Sequence, residues 1–162
     1  MACRLWRIIE LLIDNQSKQS FKITLNATMG NITYTFESLD VWQRARHLAV
    51  KIYQLLDQYP QIERYAICDQ LRRACISVPS NIAEGSSRTS PKEQAHFIEI
   101  AYGSLMELLC QLTISVDLGY ITQGELANLK SEIDIIAKML TNLRAYFLNK
   151  THKHQPLEQL SN

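Results

Sequence analysis

Apolar residues recur at helical spacing along most of the chain, in four blocks separated by helix-stop and helix-start signals. Val41, Ala45, Leu48, Ile52, Leu55 and Leu56 form the first block and predict a helix from about Leu39 to Leu56, capped by Ser38 or Asp40. Tyr59-Pro60 ends it. Leu71, Ala74, Val78, Ile82 and Ala83 carry the second block, predicted from about Ile62 to Glu84. Pro79 lacks an amide donor and crowds the carbonyl of Cys75, so a bend or break is expected near Ser77–Val78. Gly85 is the predicted C-cap.

The next start is stronger. Ser90-Pro91-Lys92-Glu93 combines an N-cap serine, proline at the first helical position and glutamate at the third. The third helix, predicted over Pro91 to Leu118, carries Phe97, Ile98, Ala101, Leu105, Leu108, Leu109, Leu112 and Val116. That apolar surface is wider than one antiparallel neighbour needs. Gly103 lies mid-helix, where glycine costs about 1 kcal/mol relative to alanine, and implies close approach of another helix. Gly119 ends this helix, and Thr122-Gln123-Gly124-Glu125 is a second capping box. The fourth helix then runs to about Leu148, with Leu126, Leu129, Ile133, Ile136, Met139, Leu140, Leu143 and Phe147 on its core side. Nothing in this stretch calls for a strand. The pattern predicts an all-α fold, an antiparallel up-down-up-down four-helix bundle with a long, bent second helix.

The flanks lack this periodicity. Residues 1–35 read as an N-terminal extension, or as sequence upstream of a true start at Met29. Ile8 to Ile13 is apolar but interrupted by Glu10, too short for a membrane span and without a signal-peptide cleavage site. Residues 150–162 are polar, contain Pro156 and read as a disordered tail. The bundle proper is thus expected over residues 36–149.

Polar residues inside the second block break the simple amphipathic pattern. Arg73, Ser77, Asn81 and Glu84 are spaced by four, four and three, so they share roughly one helix face. One reading is a hydrogen-bonded network that relieves the Pro79 break and reaches Ser104 and Glu107 across the bundle. A buried arginine needs a carboxylate, for which Glu84 and Glu107 are the candidates. On that reading Glu107→Ala costs a few kcal/mol. The other reading turns part of the stripe toward a subunit interface.

Charge narrows the functional classes. The whole chain carries a net charge of +1, and between Phe36 and Lys150 twelve Lys or Arg face thirteen Asp or Glu. A near-neutral domain lacks the electrostatic footprint of a strong nucleic-acid binder. Arg44, Arg46 and Lys51 nevertheless cluster on the first helix, and Arg72 and Arg88 flank the polar stripe. They read either as a solvated face or as contacts to phosphate or an acidic partner. The four cysteines, Cys3, Cys68, Cys75 and Cys110, include no C-x-x-C. Cys68 and Cys75 are seven apart, about 10 Å along a helix and beyond disulfide reach. Buried free thiols in a cytoplasmic protein are expected.

Enzyme constellations are scarce. His96 precedes Glu99 by three, the reverse of the Glu-x-x-His pair of a metal bundle, and His47 stands alone. There is no phosphate-binding or dinucleotide-binding glycine loop and no nucleophile elbow. The Arg44-to-His47 spacing is too short, and Arg88 to His96 too long, for a HEPN-type helical ribonuclease. No cofactor, metal or catalytic residue is expected.

A family resemblance rests on Phe36-Glu-Ser-Leu39 with Val41-Trp42-Gln43, Tyr59-Pro60, Gln70-Leu71-Arg72-Arg73-Ala74, Ser77-Val78-Pro79-Ser80-Asn81-Ile82-Ala83-Glu84-Gly85, Gly103-Ser104-Leu105 with Glu107, and Leu118-Gly119-Tyr120. These residues, from about Phe36 to Asn149, resemble the bacterial four-helix bundles encoded within intervening sequences of large-subunit ribosomal RNA genes. The accessory proteins of diversity-generating retroelements are similar. The resemblance implies a cytoplasmic homopentameric ring without enzymatic activity. It also implies a scaffold role, linked to ribosomal RNA or to a reverse transcriptase with its template RNA. The retroelement members are strongly basic and this sequence is not. Direct RNA or DNA binding through Arg44, Arg46 and Lys51, or through Arg72 and Arg88, is therefore the alternative expectation.

Overall fold

The computed structural model describes residues 34–152. The expectations for the N-terminal extension before Tyr34, for Met29 and for the tail beyond His152 lie outside the described residues. Four helices make up the domain: α1 (Asp40–Leu55), α2 (Ile67–Ser87), α3 (Pro91–Asp117) and α4 (Gln123–His152). Among the described residues there is no strand. Each helix packs on the next, and α1 closes the ring against α4, which gives the antiparallel four-helix bundle.

The predicted apolar stripes meet in the middle. Leu48 and Ile52 of α1, Leu71 and Ile82 of α2, Ile98, Leu105, Leu108 and Leu112 of α3, and Ile133, Ile136 and Leu140 of α4 are all fully buried. Each such side chain contributes about 1.5–3 kcal/mol relative to exposure, so the core outweighs any single polar contact described below.

Local chemistry sets the ends. Neither Ser38 nor Asp40 caps α1. Leu39 holds the N-cap position, and the Ser38 hydroxyl donates to the carbonyl of Thr35 inside a short 3-10 turn, Thr35–Ser38. The second helix begins at Ile67 rather than Ile62, because Gln61–Tyr65 forms its own 3-10 turn after Pro60. Ala66, at φ −112° and ψ −110°, breaks the path between them. Tyr120 fastens that turn by donating to Glu63 at 2.9 Å.

The helix α2 runs unbroken through Pro79. Two side chains add bonds to carbonyls just before the proline: Ser80 donates to Ile76 at 2.9 Å and Asn81 to Ser77 at 2.8 Å. Gly85 is not a C-cap. It sits inside the helix, which continues to Ser87. A Cβ at Gly85 would lie 3.0 Å from the Cβ of Phe97 and 3.3 Å from the Gln94 carbonyl, so the glycine is there to let α2 and α3 meet.

The start of α3 is where Ser90-Pro91 places it, although the Ser90 side chain makes no cap bond. Its end is a Schellman motif. The amide of Tyr120 bonds the Ser115 carbonyl and that of Gly119 the Val116 carbonyl, both at 2.9 Å, with Gly119 at φ +74°. The Thr122–Glu125 capping box forms as predicted: Thr122 N–H donates to Glu125 at 2.8 Å and Glu125 N–H to the Thr122 hydroxyl at 3.2 Å. Bonds donated to the Glu125 carboxylate by the Thr122 amide first, then by the Thr122 hydroxyl and the Gln58 side chain, hold it below its ordinary value. Helix α4 outlasts its predicted end at Leu148 and reaches His152.

Candidate functional site

The polar stripe of α2 divides into an inner and an outer part. Ser77, Asn81 and Ser104 form the inner part, at the seam between α2 and α3. The Ser77 and Ser104 hydroxyls lie 2.8 Å apart, and the Asn81 amide donates to the Ser77 hydroxyl at 3.0 Å. Ser104 in turn donates to the Ile100 carbonyl at 3.1 Å. Ser104 has only one proton, so Ser77 must be the donor to it, and the bonds run in one direction from Asn81 to Ile100.

The outer part does not join this network. Arg73 is exposed and pairs with Asp69 one turn earlier, not with Glu84 or Glu107. Glu84 pairs with Arg88, and Glu107 accepts from Gln111 at 2.9 Å. The expected buried arginine–carboxylate pair is therefore absent. The physical reason is position: residues 69, 73 and 84 sit farther round α2 than Ser77 and Asn81, where water and neighbours on the same helix satisfy them.

The basic residues are dispersed. Lys51 pairs with Glu132 of α4. Arg72 donates to the Arg64 carbonyl at 3.3 Å, and the Arg88 guanidinium lies 4.8 Å from the centre of the Phe97 ring. Arg44 and Arg46 are exposed on α1, with Arg46 stacked 5.4 Å from the centre of the Trp42 ring. The cation–π contact joins a row of aromatic residues at the start of the domain that the sequence pattern did not reveal. Tyr34 stacks on Phe36 at 5.9 Å, and Phe36 meets Trp42 edge-on at 4.9 Å. The only sequence signal was three aromatics within nine positions.

The cysteines follow burial. Cys68 and Cys75 are buried free thiols as expected, whereas Cys110 is exposed and Cys3 lies outside the described residues. Burial pushes the Cys68 thiol up and the Cys75 thiol up to about 11. At the closed end of the bundle, burial also raises Tyr59, and the bond to Glu63 raises Tyr120. Among the described residues, no group of three or more His, Cys, Asp or Glu could hold a metal ion.

One surface stands out by what it lacks. Ile100, Gly103, Glu107, Cys110 and Ile114 of α3, with Leu118 at its C-cap, fall on one side of the helix and are exposed. Ile100 is 38%, Ile114 44% and Leu118 52% exposed, and Ile76 of the adjoining α2 is 45% exposed. A Cβ at Gly103 would meet nothing within 4 Å. The helix approach that a mid-helix glycine implies is thus not made among the described residues.

Among solved structures, the fold is similar to a protein of unknown function of the S23 ribosomal protein family from Bacteroides thetaiotaomicron VPI-5482. The likeness has a TM-score of 0.58 at 21% identity, over 64% of this chain and 97% of that one. No curated protein matches. The model of the 23S rRNA-intervening sequence protein family matches residues 37–142, from the turn that carries Phe36 to the last core turn of α4. That span takes in α1, α2, α3, the α2–α3 seam and most of α4, and the chain belongs to the 23S rRNA-intervening sequence protein family.

Proposed function

We propose that this protein is a non-catalytic, cytoplasmic scaffold that works as a homo-oligomer, a pentameric ring as its sequence resemblance implies. The observation that carries this reading is the outward row of α3. Three branched apolar side chains there are exposed beside a glycine with empty space above it. Apolar residues on a monomer's surface are ordinary when scattered. Aligned on one helix face around a residue that costs helix stability, they fit a second helix from another copy. The ring would hold its partner, a ribosomal RNA or a reverse-transcriptase ribonucleoprotein, by protein surface as much as by phosphate contacts. The near-neutral charge of the domain favours this over a strongly basic groove.

The length and hydropathy of α3 would also suit a membrane span, but within the chain it lies between α2 and α4 with eight residues buried, which fits a core helix of a water-soluble bundle. Native mass spectrometry of the full chain tests the reading. A species of five chain masses is the expected result. A monomer at micromolar concentration would overturn the scaffold.

A further inference from the structure

The aromatic row at the start of the domain is separate from the α3 surface, since it lies on α1 and the turn before it. Its geometry is fixed by the backbone. Glu37 accepts the Tyr34 amide at 2.9 Å, and Gln43 donates to the Glu37 carbonyl at 2.9 Å, so the turn is tied at both ends. Three rings and one guanidinium then follow in series: Tyr34, Phe36, Trp42 and Arg46. Phe36 and Trp42 are half-buried, whereas Tyr34, the first ring of the row, is 58% exposed.

Charge on this surface is uneven. Arg44 and Arg46 are exposed, and His47 lies 3.4 Å from Arg46. Two carboxylates are near in sequence. Glu37 is engaged by the Tyr34 amide, and Asp40 sits in the first turn of α1, where helix-end amides offset its charge. Lys51, farther along, is paired with Glu132.

We propose that this row is a stacking platform for single-stranded nucleic acid. A base stacks on the open face of Tyr34, and Arg44 and Arg46 contact adjacent phosphates. An acidic peptide would satisfy the arginines but would leave the exposed ring unused, whereas every base has a face to stack. With two phosphate contacts, the platform binds weakly and with a shallow salt dependence, a log–log slope of about −1.4. That distinguishes it from a basic groove that tracks many phosphates. The platform belongs to one chain, so it stands whether or not the chain self-associates.

The test is fluorescence anisotropy of a labelled oligouridylate of about 12 nucleotides, titrated with the full chain at about 50 mM salt. Tyr34→Ala should weaken binding at least about fivefold, because it removes one stacked base. Arg46→Ala should weaken binding and reduce the salt slope by about 0.7. Lys138→Ala, an exposed change on α4, should leave affinity within about twofold, apart from a small nonspecific electrostatic term. In a Trp6→Phe background Trp42 is the sole tryptophan, and its emission should be quenched as the oligonucleotide binds. Absence of binding at this salt would overturn the proposal. So would equal affinity of wild type and Tyr34→Ala. A Tyr34→Ala change that alters sedimentation of the protein but not oligonucleotide affinity would assign the row to a protein contact, and would also overturn it.

Discussion

Gly103→Ala separates what the glycine does inside the chain from what it does outside. A helix-interior glycine is about 1 kcal/mol less favourable than alanine. The added methyl at 103 meets no heavy atom of the described residues within 4 Å, so it brings no clash there. The isolated chain should therefore gain about 0.5–1 kcal/mol, or a few degrees in melting temperature for a chain of this size. Gly85→Ala supplies the opposite control. It gains the same propensity but drives a methyl to 3.0 Å from the Phe97 Cβ and 3.3 Å from a backbone carbonyl. Only Arg88 to Ser90 separates α2 from α3, so neither helix can easily retreat. Overpacking costs about 1–3 kcal/mol, and the net change should be a loss of up to about 2 kcal/mol. Urea unfolding at low protein concentration reads both, with unchanged slope and shifted midpoint. Sedimentation at higher concentration then reads the proposed assembly, which Gly103→Ala should weaken although it strengthens the monomer. A Gly103→Ala protein less stable than wild type at low concentration would refute the open face. Unaltered assembly would remove Gly103 from the subunit contact.

Three further outcomes follow from the contacts described. Glu107→Ala should move the urea midpoint at low protein concentration by no more than about 0.5 kcal/mol, because Glu107 is exposed in the single chain and among the described residues bonds Gln111 on its own helix; a loss of several kcal/mol would restore the buried pair. Gly119→Ala should cost about 1–2 kcal/mol by thermal unfolding, since φ +74° strains any residue with a Cβ. Cys75 makes stability fall in alkali. The folded state keeps its thiol protonated up to about 11, whereas the unfolded thiol, at its ordinary 9.0, loses its proton first. The contribution is complete below about pH 9 and is lost as pH rises toward 11. Cys75→Ala should flatten that part of the urea-midpoint profile, and in the folded single chain at low protein concentration Cys110 should react with a thiol reagent well before Cys75.

The parts of this fold legible in the sequence are those governed by local rules. Four apolar stripes at helical period gave four helices, and Thr122 with Glu125 gave a cap whose bonds all form. What was misread depends on which way a residue faces. Glycine after an apolar run reads as a helix stop, yet Gly85 faces a neighbouring helix so near that an added Cβ would lie 3.0 Å from the Phe97 Cβ, a constraint no local window contains. Arg73 shares a spacing with Ser77 and Asn81, but 100° per residue carries each step of four some 40° round the helix. That drift is enough to put Ser77 in the seam and Arg73 in water. A buried pair was thereby expected where surface pairs formed, and surface pairs of this kind contribute about 0–1 kcal/mol. The same drift bears on function. The outward row of α3 and the inward Ser104 differ by one step of a helix that is apolar nearly all round. Exposed Ile100, Ile114 and Leu118 lie beside Glu107 on that outward side, so the apolar pattern alone does not mark which side of the helix faces the bundle. The glycine, costly and uncovered, is the residue that breaks the tie, and it points outward.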